Sequence, residues 1–315
     1  MAVRAIALVG WVLCVGSLHA QAVRELAGHR GAVTGVAFRP DGEQFASAGF
    51  DHTVRLWDAA RGGLVATCRG HHDKVTALAY RPDGRLVASA GLDRTVRLWD
   101  TTTGRRRGQL LLAERAVQAL VFTPDGQQLA CAGESGVVTV FDLATRRPVR
   151  RFSLSDRPLY ALAISRDGQH LAAAGDDGRV HLVARITGDT VATLANDAGA
   201  IYSLSFAPDG DRLTVGADDG SVRVWDRHTS RPLATHLHHA GPVYQVSFSA
   251  DGRRLVSAGV DGQVLIREAT TGSLLHAHRF PGKALCAAIA PEGDCIGTGT
   301  GQSACYLLQL PRRSR

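Results

Sequence analysis

The sequence predicts an all-β chain folded as a seven-bladed β-propeller of four-stranded antiparallel blades, and three observations carry that reading. One stretch returns almost letter for letter: Ser47–Asp58 reads S-A-G-F-D-H-T-V-R-L-W-D, and Ser89–Asp100 repeats it with two of the twelve residues changed. An Asp-Gly pair recurs at Asp41, Asp83, Asp125, Asp167, Asp209 and Asp251, at intervals of 42 residues, and Glu292-Gly293 follows after 41. Between these marks the apolar residues alternate with period two, the pattern of half-buried strands. A fixed period of about 40 residues marks an array of like units. One four-stranded sheet cannot bury both of its faces. Stacked radially, each sheet covers the next, and closure into a ring leaves no long free edge.

Taken in order, the 315 residues divide into a signal peptide (1–21), the propeller (22–311) and a basic tail (312–315). Arg4 supplies a positive start, Ala5 to Leu18 is an uncharged and largely apolar run of 14 residues, and Ala20-Gln21-Ala22 supplies a cleavage pattern, with cut sites after Ala20 or Ala22. Such a run is too short to span a bilayer comfortably and matches an export signal. The expectation is a periplasmic or secreted protein with no membrane insertion of the mature chain. An uncleaved N-terminal anchor and a mis-assigned start are the alternatives.

Each repeat then offers four strands. In the first, Val33, Val36 and Phe38 lead into Pro40-Asp41-Gly42, and Gln44 to Ala48 lead out. Proline pre-sets φ for the first turn position and glycine accepts the positive φ that closes it. A second tight turn at Gly49 to His52 precedes Thr53 to Trp57, and Leu64 to Cys68 forms the outer strand. The last repeat yields three strands, near Lys283–Ile289, Cys295–Thr298 and Ala304–Leu310. The unused segment Ala22–Ala27 is the expected fourth, so the N-terminal strand completes the last blade.

The formal charge is +7, yet of 36 basic residues only Lys74 and Lys283 are lysine. The arginine clusters at Arg105–Arg107 and Arg146–Arg151 fall in or beside loops with no aromatic residues interleaved, so no nucleic-acid partner is expected. Beyond residue 22 there are five cysteines at irregular spacing, which is no disulfide framework. Cys286, Cys295 and Cys305 crowd into the last repeat, either as one bridge or as small buried hydrophobes.

The pairs Gly28-His29 with Trp57-Asp58, and Gly70-His71 with Trp99-Asp100, resemble the WD-repeat (G-protein β-like) family of seven-bladed propellers. The resemblance runs from about Ala22 to Leu310. It implies a hydrogen-bonded tetrad in each complete blade: His29, Ser47, Asp51 and Trp57 in the first, His71, Ser89, Asp93 and Trp99 in the second. The third blade has Ala113, Cys131, Ser135 and Phe141 at these places. The fourth keeps Asp177, with Val183 for the tryptophan. The fifth keeps Asp219 and Trp225, the sixth has His239, Ser257 and Asp261 with Arg267 for the tryptophan, and the seventh retains Thr298 alone. Since each polar group would saturate another, the tetrad reads as structure and not as a catalytic relay.

No phosphate loop, Cys-x-x-Cys pair or G-x-S-x-G elbow is present, so neither an enzyme nor a cofactor or metal is expected. His236 and His238 project to one side of an outer strand, beside His239 and one blade before His276 and His278, but no third close ligand is evident. Tyr160, Tyr202 and Tyr244 are 42 residues apart and occupy one position in three consecutive blades. Thr34, Thr76, Gln118 and Leu285 hold that position elsewhere. In the resembled family it lies near the mouth of the central channel, where partner peptides dock. Glu134, Asp176 and Asp218, each just before the tetrad aspartate position, would make that side of the mouth acidic. The expectation is therefore a non-catalytic scaffold, a single propeller within a complex, that binds a basic or aromatic-rich protein or peptide through this face. The alternatives are an accessory subunit of an envelope assembly and a propeller enzyme.

Overall fold

The structure is a computed structural model that describes residues 23–111, 115–237 and 239–311. Blade one comprises β2 (Val33–Phe38), β3 (Gln44–Gly49), β4 (Thr53–Asp58) and β5 (Leu64–Arg69), hydrogen-bonded in that order. Blades two to six repeat the meander with β6–β9 (75–111), β10–β13 (117–153), β14–β17 (159–195), β18–β21 (201–237) and β22–β25 (243–279). Seven four-stranded antiparallel sheets result, and the innermost strand of each touches that of the next, including the last with the first.

Closure is a strand exchange between the two ends of the propeller. β26 (Ala284–Ile289), β27 (Cys295–Thr300) and β28 (Cys305–Gln309) take β1 (Val23–Leu26) as their outer strand, with Val23 opposite Leu308 and Leu26 opposite Cys305. The Cys305 Sγ sits 3.4 Å from the Leu26 carbonyl oxygen. Residues 1–21, expected to be a signal peptide, Ala22 of the expected closing strand and the basic tail 312–315 lie outside the described residues. Among those described, no helix is long and apolar enough to cross a membrane.

The hairpin turns explain the 42-residue beat. Gly42, at φ 77°, closes the first turn with its N–H on the Arg39 carbonyl at 2.8 Å, and the Asp41 carboxylate accepts the Glu43 N–H at 3.0 Å. A side chain at Gly42 would hold the αL region at a cost, so the pair Asp-Gly is written into the turn.

The core lies between blades. Ala46, Val54 and Leu56 of blade one pack against Val75, Val87 and Trp99 of blade two, while Phe45 and Trp57 face the last blade's Cys286 and Leu307. The fully buried Phe45 ring needs Gly297 opposite it, where an added Cβ would lie 2.0 Å from the ring. Burying a phenylalanine of this kind contributes about 2–3 kcal/mol.

The last blade's cysteines form no bridge. All five described cysteines are free and buried. Cys286 and Cys305 both pair with Gly299, from opposite sides. Two strand spacings separate their backbones by about 10 Å, beyond the roughly 7 Å limit for a disulfide.

Candidate functional site

Each blade places its second–third turn and its connection to the next blade on one face of the ring, here the upper face. In blade one the polar tetrad anchors that face. The Asp51 carboxylate can only accept, so His29 Nδ1 carries the proton between them at 3.0 Å. His29 Nε2 then accepts from the Ser47 hydroxyl at 2.8 Å, and Ser47 Oγ accepts the Trp57 indole N–H at 2.8 Å. Asp51 also takes the N–H groups of Arg30 and Thr53 and the Thr53 hydroxyl. Blade two repeats the network: His71 to Asp93 at 2.8 Å, His71 to Ser89 at 2.7 Å and Trp99 to Ser89 at 2.7 Å. The polar groups of each tetrad satisfy one another, and Ser47 and Ser89 are fully buried beneath the surface.

The incomplete tetrads are mended in different ways. In blade six His239 joins Asp261 at 3.0 Å and Ser257 at 2.9 Å, while the buried Arg267 donates to the Gly272 carbonyl. In blade four Ser155 stands in the histidine place and donates to Asp177 at 3.1 Å, and His181 reaches the same carboxylate at 2.7 Å. Blade five is not mended. The Trp225 indole N–H and both side-chain polar atoms of the buried Asn196 lack partners. Ala113 and His238 lie outside the described residues. Among the described residues no three metal-ligating side chains cluster.

The tyrosines owe their placement to a feature hidden from the sequence. In every blade the register between first and second strands slips at the second residue of the first strand, at Val33/Gly35, Leu159/Ala161, Ile201/Ser203 and Val243/Gln245 for example. The bulged residues are Thr34, Thr76, Gln118, Tyr160, Tyr202, Tyr244 and Leu285. A bulge leaves its residue out of the ladder and re-aims the side chain. Five of the seven, Thr34, Thr76, Gln118, Tyr160 and Tyr202, line a cavity of about 150 Å³ at the channel mouth, and Tyr244 packs against Tyr202.

Bulge identity divides the mouth into two arcs. The Thr34 hydroxyl donates to the Val75 carbonyl at 2.6 Å and Thr76 to Val117 at 2.5 Å, each crossing to the next blade. In blades four to six the rings pack on one another instead, the first pair stacked and the second edge to face. Tyr160 and Tyr202 lie 5.7 Å apart at 23°, and Tyr202 and Tyr244 lie 5.4 Å apart at 66°.

The carboxylates sit beside this arc. The Tyr202 hydroxyl donates to Asp218 at 3.1 Å, and burial together with Asp218 pushes its phenol up to about 12. Burial, Asp176 and Glu134 push the Tyr160 phenol up as well. Asp176 also pairs with the exposed Arg157 at 3.2 Å. Tyr160 and Tyr202 therefore hold their phenol protons more tightly than a free tyrosine, beside the carboxylates that border them.

The model of the family described as WD domain, G-beta repeat matches residues 20–58, 62–100, 109–142, 146–183, 188–226 and 230–267. No curated protein matches the chain. Each match opens in the outer strand of one blade and covers the three inner strands of the next, so the six together take in the inner strands of blades one to six, and the seventh blade, with one tetrad residue left, is evident from the sheet it forms with β1. By repeat, turn and blade, the chain belongs to the WD-repeat family.

Proposed function

We propose that this propeller is a non-catalytic scaffold that holds an extended segment of a partner protein across the mouth formed by Tyr160, Tyr202 and Tyr244. Propellers of this family are commonly protein-interaction scaffolds. The observation that carries the reading is the row of three partly buried tyrosine rings, packed on one another and each raised on a bulge, with Glu134 and Asp176 beside Tyr160 and Asp218 beside Tyr202. Aromatic residues gathered at one mouth are the composition of binding hot spots, and the carboxylates favour a segment that carries arginine or lysine. The exported location proposed from residues 1–21 places the partner at the cell envelope or outside the cell.

The test compares wild type with Tyr160→Ala/Tyr202→Ala/Tyr244→Ala in affinity capture from the native host, after near-ultraviolet circular dichroism shows both folded. Selective loss of one wild-type partner, recovered by the triple Phe variant, supports the reading. Retention of every wild-type partner by the triple Ala variant overturns it. Sequencing the mature N-terminus tests export: a start at Gln21 or Val23 agrees with cleavage, and a start at Met1 or Ala2 does not.

A further inference from the structure

The chain's surplus positive charge sits on the outer edge of the ring. The outermost strands are β1, β5, β9 (Arg106–Leu111), β13 (Arg147–Ser153), β17 (Thr190–Ala195), β21 (Arg231–Leu237) and β25 (Leu274–Arg279). Together they hold nine arginines and one carboxylate, Glu25, in a chain of formal charge +7. The same edge carries the exposed aliphatic side chains. Among the described residues, every exposed large apolar side chain except Phe50 lies on an outermost strand or, for Ile186, in the turn that leads into one.

Both features are densest over blades two to four. There the last residue of the third strand, the turn and the outermost strand are residues 100–111, 142–153 and 184–195. They hold eight arginines against Asp100, Asp142 and Asp189, and seven of the eight arginines are exposed. The turns and links that border this sector, residues 81–85, 115–116, 123–127, 154–158, 165–169 and 196–200, sum to zero charge. Glu114 adds one carboxylate and lies outside the described residues. A positive surplus therefore remains after every bordering carboxylate is counted.

Hydrogen bonds join the three blades into one surface. Arg146 donates to the Arg107 carbonyl at 2.9 Å, and Arg150 to the Ile186 carbonyl at 2.9 Å. A guanidinium has five N–H donors, so neither bond exhausts it. The outermost strands also slip in register, and the extra residue is Arg107, Val149 and Val191 in blades two, three and four. Each stands out of its ladder. Val149, Ile186 and Val191 are 39%, 50% and 47% exposed.

We propose that the rim of blades two to four rests on a bilayer that carries anionic phospholipid. Guanidinium groups pair with phosphate oxygens in bidentate geometry. Their stems lie along apolar surface while the heads stay among the headgroups. Val149, Ile186 and Val191 enter the boundary between headgroups and acyl chains, where aliphatic surface leaves water. Nucleic acid fits less well, because Phe152, the one aromatic residue of the sector, is buried and offers bases no stacking face. The contact is peripheral, involves none of the three tyrosines, and stands whether or not their mouth binds a partner.

The full chain is titrated with vesicles of phosphatidylglycerol and phosphatidylcholine, and with phosphatidylcholine alone, in about 0.1 M salt. Wild type should prefer the anionic vesicles by at least about tenfold. Arg105→Gln/Arg106→Gln/Arg147→Gln should weaken that binding roughly 100-fold. Arg69→Gln/Arg231→Gln/Arg279→Gln removes the same charge from other blades and should leave binding within about twofold. Val149→Ser/Val191→Ser should remove the binding that survives about 1 M salt. All variants share residues 1–21 and 312–315, so differences between them report the rim, and near-ultraviolet circular dichroism shows each one folded. Equal weakening by the two arginine triples, no preference between the vesicles, or tighter binding to duplex DNA overturns the proposal. Arginine on an edge strand also deters edge-to-edge pairing. Variants that aggregate in light scattering while vesicle binding is unchanged would assign the arginines to that role and overturn the proposal.

Discussion

Thr34 donates its hydroxyl to the carbonyl of Val75 across 2.6 Å, and so fastens the innermost strand of blade one to that of blade two. Thr76 does the same for blades two and three. Both threonines stand on the bulge that elsewhere carries a tyrosine. The same backbone device therefore supplies staples on one side of the channel mouth and a row of half-buried rings on the other.

Removing a staple should weaken its joint without emptying space. Thr34→Val and Thr76→Val keep the shape and leave a carbonyl without its donor. Each is expected to cost about 1 kcal/mol in urea unfolding, with nearly additive losses in the double variant. A double variant within error of wild type would show that the staples contribute nothing net.

The tetrad aspartates should matter more. Asp93 accepts from His71, His72 N–H, and both the N–H and the hydroxyl of Thr95, so Asp93→Ala leaves several donors unpaired at once. A loss of about 1–3 kcal/mol is expected for Asp93→Ala and for Asp51→Ala, read as a lower thermal midpoint. No loss on melting would count against the network.

Two tryptophans at one blade position should respond differently to the same change. Trp57 gives its indole N–H to Ser47, whereas the Trp225 N–H has no partner, because Val215 stands where Ser47 does. Trp57→Phe removes a buried hydrogen bond; Trp225→Phe removes an unsatisfied donor. The first is expected to cost about 1 kcal/mol more than the second. Equal losses would mean that ring volume alone decides both.

Acid should act through the same networks. Burial pushes the Asp261 carboxyl up, but the hydrogen bonds from His239, Ala240 and Gln263 outweigh it and leave a pKa of about 2 against an ordinary 3.8. Its contribution is present above 3.8 and is lost as pH falls toward 2. Burial holds the His71 imidazole below its ordinary 6.5, against the pull of Asp93. Folding thus favours neutral His71, a contribution present above 6.5 and lost as pH falls below it. Stability should decline in two stages on acidification. Asp261→Asn should flatten the lower one, seen as a gap in thermal midpoint from wild type that narrows as pH falls from about 4 to about 2.

The 42-residue beat, the period-two strands and the Asp-Gly turns determined the blade count and marked Ala22–Ala27 as the closing strand, because each is a local pattern repeated along the chain; the fold narrowed that strand to Val23–Leu26. Register likewise made His29, Ser47, Asp51 and Trp57 recognisable as a set. What lay beyond the sequence depends on neighbours supplied by other blades. Ser155 and His181 take up the duties of absent tetrad residues at Asp177, and no spacing rule announces such substitutes. Cys286 and Cys305 look close in number, but the glycine strand between them keeps them apart. The 42-residue spacing marked Tyr160, Tyr202 and Tyr244 as equivalents. That they stand out from the ladder at all is a property of the bulge, a slip in pairing between two strands that only the folded sheet possesses.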